Sequence, residues 1–294
     1  MKTIATIKNN IYSNIISNQT KSIVALCILA LTLNSCKKEV CTYDDNTNPP
    51  ACTKGMDVVF AIDYTGSMGG AINNIKSSIS NIVSTIVTKS GGDYRLALTI
   101  FDEANKGTLP AYTAQVPYTS LPAANKLVIS TGPTTNQYLT VMENFGYANN
   151  ATFSAQLANL NGAMAMGNGI GFAEPGDLLI DKVVNSSFAG AWRPNIAKLV
   201  IIITDAPASG DDDNNTAVDD AFLTTLANNA NAAGIQYILI TTQATNNYET
   251  KLIANNNGGL KLMSANFANI APDIITMINN LCENNSNNTD GGKR

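Results

Sequence analysis

Five short apolar runs limit what this chain can fold into: Val58–Ile62, Leu96–Phe101, Leu199–Ile203, Ile235–Ile240 and Leu260–Met263. A strand with one wet face alternates apolar and polar residues. A strand covered on both faces reads as a continuous apolar run, as in a parallel sheet. The stretches between the runs have helical spacing. Ile72, Ile75, Ile79, Ile82, Val83 and Ile86 line one face of 69–89. Val218, Phe222 and Leu226 do so for 215–233, which Gly234 closes as a C-cap. Leu178, Leu179 and Val183 predict a helix over 176–186. Ile274, Ile278 and Leu281 predict a last helix, opened by Pro272. Leu139–Met142 reads as an edge strand and Phe153–Leu160 as a short helix; the rest of 102–170 has no clear period. The alternation of strand and helix predicts a three-layer, doubly wound α/β fold with a mostly parallel, six-stranded sheet. With 294 residues, 45% of them hydrophobic, the chain can bury one sizeable core or at most two small ones.

The N-terminus has a different logic. Lys2, Lys8 and Lys21 precede the apolar run Ile23–Leu33, and no acid occurs before Glu39. That run is shorter than the roughly 20 residues that span a bilayer, so 1–35 reads as a signal peptide. Leu33-Asn34-Ser35-Cys36 resembles the lipobox of bacterial lipoproteins, which implies lipidation of Cys36 and an exported, membrane-anchored product. Lys37 then favours the outer membrane or cell surface of a Gram-negative bacterium. Residues 36–55, with Pro49-Pro50, read as a tether, 56–282 as the domain, and 283–294 as a flexible tail. Loss of 1–35 removes three lysines and no acid, taking the net charge from -4 to -7. An acidic chain without a basic cluster is a poor partner for nucleic acid. The absence of histidine excludes Ser-His-Asp and Cys-His nucleophiles and every His-ligated metal site.

Chemistry concentrates where apolar strands end in oxygen-bearing residues. The first strand runs into Asp63-Tyr64-Thr65-Gly66-Ser67-Met68-Gly69, and Leu199–Ile203 runs into Thr204-Asp205-Ala206-Pro207. In doubly wound sheets, ligands bind outside the carboxyl ends of strands. Hard divalent cations take carboxylate, hydroxyl and water oxygens. Alternate positions of an extended turn point the same way, so Asp63, Thr65 and Ser67 can converge on one ion, with Gly66 and Gly69 allowing the bend.

These segments, VVFAIDYTGSM and LVIIITDAP, resemble the metal-dependent adhesion motif of the von Willebrand factor type A (vWA) family over roughly 56–282. The resemblance implies hydroxyl ligands from Thr65 and Ser67, and Asp63 and Asp205 acting directly or through water. It leaves one ion position open for a carboxylate on a protein partner. Magnesium suits such a site best, with calcium or manganese as alternatives. Many members supply a further ligand from an Asp-x-Pro-Glu turn after a Gly-rich stretch. Here Gly167 to Asp177 resembles that stretch, but Ala173 holds the Asp place and Gly176 the Glu place. Glu174 and Asp177 are the candidates to substitute from neighbouring positions. The resemblance also implies adjacent termini and a Cys52–Cys282 disulfide, with Cys41–Cys52 as the other pairing.

Plainer readings exist. Asp63 and Ser67 suit a helix start, as do Glu174 and Asp177. Asp211-Asp212-Asp213 lacks ligands at alternate spacing and reads as a solvated loop. Gly167 to Gly171 lacks the Lys and Ser/Thr of a phosphate loop. A haloacid-dehalogenase-type phosphohydrolase also begins with an apolar strand and Asp, but needs a second Asp where this chain has Thr65. A metal-free scaffold of the same fold is the third possibility. The reading carried forward is a non-enzymatic, metal-dependent protein-binding module on a lipid-anchored protein.

Overall fold

The computed structural model describes residues 52–169, 171–208 and 214–287, with side chains through Glu283. The signal peptide, Cys36, the tether up to Ala51, Asp211–Asp213 and 288–294 lie outside the described residues. Seven strands form one sheet: β1 (Met56–Asp63), β2 (Tyr94–Asn105), β3 (Lys126–Thr131), β4 (Thr135–Tyr147), β5 (Ala197–Thr204), β6 (Ile235–Thr241) and β7 (Leu260–Met263). Their order is β3-β4-β2-β1-β5-β6-β7. The helices are α1 (Ile72–Lys89), the single turn α2 (Val116–Thr119), α3 (Asn150–Asn159), α4 (Gly176–Asn185), α5 (Ala217–Ala233) and α6 (Ala271–Asn287).

The central strand explains the apolar runs. All of β1 is buried. Val58, Phe60 and Ile62 pack into one layer with Ile72, Ile75 and Ile79 of α1 and Ile274 and Ile278 of α6. Val59 and Ala61 face the opposite layer, with Leu179 and Val183 of α4 and Leu223, Leu226, Ala227 and Ala230 of α5. Each residue meets a core on its own side, so no position tolerates a solvated side chain. β1 pairs in parallel with β2 and β5, β5 with β6, and β6 with β7.

The sheet departs from expectation at one edge. There are seven strands, not six, and Leu139–Met142 lies inside the 13-residue β4 rather than at the border. β4 is antiparallel to both β2 and β3, so β3 is the edge. Thr135, Gln137 and Thr140 are buried in β4 and interrupt any apolar run, while β3 is only half-buried. In α5, Leu226 is buried and Phe222 packs against the core as expected, but Val218 is 76% exposed and Leu223, Ala227 and Ala230 complete the buried face. Gly234 does end that helix, with φ 66°.

The end of the fold at which β1 begins is closed by covalent and ionic contacts. Cys52 bonds to Cys282 near the end of α6. Cys52–Lys54, at the end of the stretch read as tether, forms a single 3-10 turn. Asp57 on β1 is buried and accepts Nε–H of Arg95 at 2.8 Å and Nε–H of Arg193 at 2.9 Å. The Arg193 backbone N–H donates to its second oxygen at 2.9 Å. Arg95 stacks over the Phe145 ring at 4.7 Å, and Phe145 meets Trp192 edge-on.

Candidate metal centre

At its other end β1 delivers Asp63 between two parallel neighbours, β2 and β5. Its oxygens are divided between two loops. Oδ1 accepts the Thr65 N–H at 3.0 Å and the Thr65 hydroxyl at 2.7 Å. Oδ2 accepts the Thr204 hydroxyl, from the end of β5, at 2.7 Å. One residue later, Asp205 Oδ1 accepts the Ser67 hydroxyl at 2.9 Å. Gln243 Nε2 donates to the Asp205 carbonyl at 2.7 Å and steadies that loop. Asp63, Thr65, Ser67 and Asp205 are therefore brought together across 142 residues of sequence by the pairing of β1 with β5.

The hydroxyls are suitably oriented for a cation. Thr65 Oγ1 and Ser67 Oγ are 3.3 Å apart. Each spends its proton on a carboxylate and keeps lone pairs to offer. Octahedral magnesium, with oxygens at about 2.1 Å, places neighbouring ligands roughly 3.0 Å apart, close to this separation. Among the described residues, no three acids or cysteines converge on a point by themselves. The candidate ligand set is mixed, two hydroxyls with two carboxylates.

Glu174 joins this cluster, while Asp177 stands in the first turn of α4. Glu174 forms an isolated parallel bridge with Ala208, and its N–H donates to the Pro207 carbonyl at 2.8 Å, which fixes it beside the Asp205 loop. It is 7% exposed, its carboxyl faces the Thr65 hydroxyl and the Asp63 charge, and its Oε2 has no hydrogen-bond partner. Asp177 is buried in the first turn of α4, where it accepts the Leu178 N–H at 2.9 Å and lies near the Tyr248 hydroxyl. The absence of an acid at 176 has a steric cause. A Cβ on Gly176 would collide with the Tyr248 hydroxyl and come within 2.8 Å of Phe101 Cζ.

Two further acids stand at this edge, and neither was read as a site residue from sequence. Asp102 and Glu103 continue β2 and are both fully buried. Asp102 Oδ1 accepts the Glu103 N–H at 2.8 Å and Oδ2 accepts the Gly167 N–H at 3.0 Å. The available signal was a pair of acids closing an otherwise apolar strand. Among the described residues, no Lys or Arg forms an ion pair with Asp63, Asp102, Glu174 or Asp205.

The electrostatics follow from that. Burial pushes the Asp63 carboxyl up from 3.8 to about 7; hydrogen bonds from Thr65 and Thr204 oppose the shift, and the Asp205 charge adds to it. Burial, then the charges of Asp63, Glu103 and Asp102, push Glu174 up to about 11. Asp102 is raised well above the usual carboxylate range, chiefly by burial. Asp205 is raised by burial and partly restored by the Ser67 hydrogen bond. A divalent cation would relieve all four at once.

No protein-family model matches the sequence, and no curated protein matches it. Solved structures do align with it. Proximal thread matrix protein 1 from the mussel byssus is similar over 80% of this chain and 49% of its own, at 15% identity and a TM-score of 0.47. The same mussel protein with zinc occupying its MIDAS motif is similar over 78% and 46%, at 12% identity and a TM-score of 0.48. The von Willebrand factor type A structure from Catenulispora acidiphila is similar over 78% and 43%, at 14% identity and a TM-score of 0.47. The chain thus spans less than half the length of each of these structures. These are similarities at low identity, and the strand order and registers above stand on this chain's own structure.

Proposed function

We propose that this chain is a non-enzymatic binding module that grips a carboxylate of a protein partner through a divalent cation, magnesium for preference and calcium or manganese as alternatives. The observation that carries the reading is the cluster of buried acids without a basic partner, gathered around two hydroxyls with lone pairs to give. Thr65 and Ser67 would hold the ion by their hydroxyls, with Asp63, Asp205 and the orphaned Glu174 oxygen supplying negative charge directly or through water. The cation supplies a directional attraction for an acidic group that an acidic protein cannot otherwise offer. Phe172, 59% exposed and two residues from Glu174, gives an apolar contact beside it.

Calorimetric titration of magnesium into the wild type and Asp63→Ala tests this. Heat in the wild type alone supports the reading. Heat in neither protein favours a metal-free scaffold. Turnover of a phosphate ester that Asp63→Ala abolishes would instead point to a phosphohydrolase.

We also propose export and lipid anchoring at Cys36. The chain then enters the fold at Cys52, at the start of β1, and the eight residues of β1 carry it some 25 Å to the metal edge. Detergent phase partitioning checks this: the wild type should enter the detergent phase and Cys36→Ser the aqueous one.

A further inference from the structure

Two consecutive residues of β2 hold alternate amides of the Asp63–Ser67 loop. The Tyr64 N–H donates directly to the Phe101 carbonyl at 2.8 Å. The Gly66 N–H donates to the Gly167 carbonyl at 3.0 Å, and the N–H of that same Gly167 donates to Asp102 Oδ2 at 3.0 Å. A relay thus runs from the Asp102 side chain through the Gly167 residue to Gly66, which sits between the hydroxyl-bearing Thr65 and Ser67. We propose that Asp102 is a positioning residue for the metal loop. It touches no ligand and fixes where the two hydroxyls stand.

The seam leaves little freedom. A Cβ on Gly167 would collide with the Glu103 carbonyl oxygen and come within 2.8 Å of Asp102 Oδ1. A Cβ on Gly66 would collide with Asn168 Oδ1. The Gly-rich stretch is therefore packing material for the loop, with its backbone pressed between β2 and Gly66. An aspartate suits position 102 because two N–H groups arrive at its two oxygens, Glu103 at one and Gly167 at the other. A carboxyl offers an accepting oxygen on each side; an asparagine turns its NH2 toward one of the donors.

This inference rests on the metal reading for its functional consequence, and the test separates the two. Hydrogen exchange over 64–68 is followed in chelator for the wild type, Asp102→Asn and Gly167→Ala. Magnesium affinity is measured on the same proteins. Exchange at Gly66 accelerates in both variants while the amides of α1 and β5 keep wild-type protection. Magnesium affinity falls about 10- to 100-fold, the usual consequence of losing an outer-shell support. Gly167→Ala displaces the same residue by contact with the Glu103 carbonyl and leaves the Asp102 carboxyl in place, so it carries the test if Asp102→Asn does not fold. Wild-type exchange at Gly66 together with wild-type affinity in both variants overturns the proposal. A wild type that takes up no magnesium overturns the metal reading, and the exchange rates still decide whether Asp102 positions the loop.

Discussion

The central strand carries a fully buried aspartate near each end, and the two are treated oppositely. Asp57 is met by Arg95, Arg193 and the Arg193 amide. Asp63 is met by two hydroxyls and one amide, with an acid, Asp205, beyond them. Burying a carboxylate is costly unless its charge is compensated. Where β1 begins, the chain supplies the compensation itself and adds a disulfide. Where β1 ends it withholds compensation, and the acids of β2 and of the Glu174 loop deepen the deficit. On the proposed reading, the contrast assigns stability to one end of the molecule and exchangeable binding to the other. It is open to attack from either side.

The largest effect belongs to the end where β1 begins. The Cys52–Cys282 bond closes a separation of 230 residues. Cys282→Ser should lower unfolding stability by about 5 kcal/mol on the loop-entropy model. Denaturant unfolding reads this loss, and magnesium affinity of the folded protein should stay at the wild-type value. A matching loss of affinity would mean that the two ends are not separate.

Next come the two aspartates themselves. Asp57→Ala leaves two arginines, whose side chains are 18% and 24% exposed, without their shared partner. Removing one member of a buried ion pair costs roughly 3–5 kcal/mol, and urea unfolding should show it with or without magnesium. Asp63→Asn should behave in the opposite way. In chelator it is as stable as the wild type or more so, because a buried charge without a counter-ion is gone. What it loses is the stabilisation by magnesium, about 2.7 kcal/mol for the wild type at 100 times the dissociation constant. An Asp63→Asn protein that still gains stability from magnesium would break the comparison.

A graded effect follows with pH. A carboxyl whose folded pKa is raised holds its proton more tightly in the folded chain than in the unfolded one. Its stabilisation is complete below its ordinary 3.8 and is lost as pH rises through the folded value, about 7 for Asp63. Glu174, Asp102 and Asp205 are shifted in the same direction. In chelator the melting temperature should therefore fall between pH 5 and pH 8 in roughly the range set by these carboxyls. Excess magnesium should offset the fall, and Asp63→Asn should flatten it. A melting temperature that rises with pH in chelator would contradict the electrostatics of this edge.

What was legible in the sequence follows the same division between covered and half-covered elements. β1, β5 and β6 lie between two layers, so their middles are continuous apolar runs that announce them, with polar residues only toward their ends. The six apolar positions expected on α1 are all buried. The β3–β4 hairpin was hidden because β3 is a half-buried edge and β4 buries Thr135, Gln137 and Thr140 among its apolar residues. At the site, Asp63, Thr65, Ser67 and Asp205 could be read because all four fall in the short oxygen-rich segments that follow a continuous apolar run. Glu174 could only be offered beside Asp177. The choice between them depends on a bridge to Ala208 and on the closeness of Tyr248 and Phe101 to Gly176, which are contacts between distant segments.

That choice gives the finest test. Glu174→Gln keeps the shape of the side chain and removes a carboxyl that burial holds protonated in chelator and that only a nearby cation would ionise; its Oε2 has no hydrogen-bond partner. If this group serves the cation, magnesium affinity should fall by about one order of magnitude, as for loss of an outer-shell partner, while stability in chelator holds or rises. Asp177→Asn removes a fully buried acid three residues away, where the carboxyl accepts the Leu178 N–H in the first turn of α4. Calorimetry should find its magnesium affinity unchanged within error. The variant's effect should instead be confined to the start of α4, where an acid favours the helix N-terminus by about 0.3–1 kcal/mol. If the outcomes were exchanged, with Asp177→Asn losing affinity and Glu174→Gln keeping it, the ion would have to draw on the α4 side of Tyr248. The boundary between the compensated and uncompensated ends of the sheet would then need to be redrawn there.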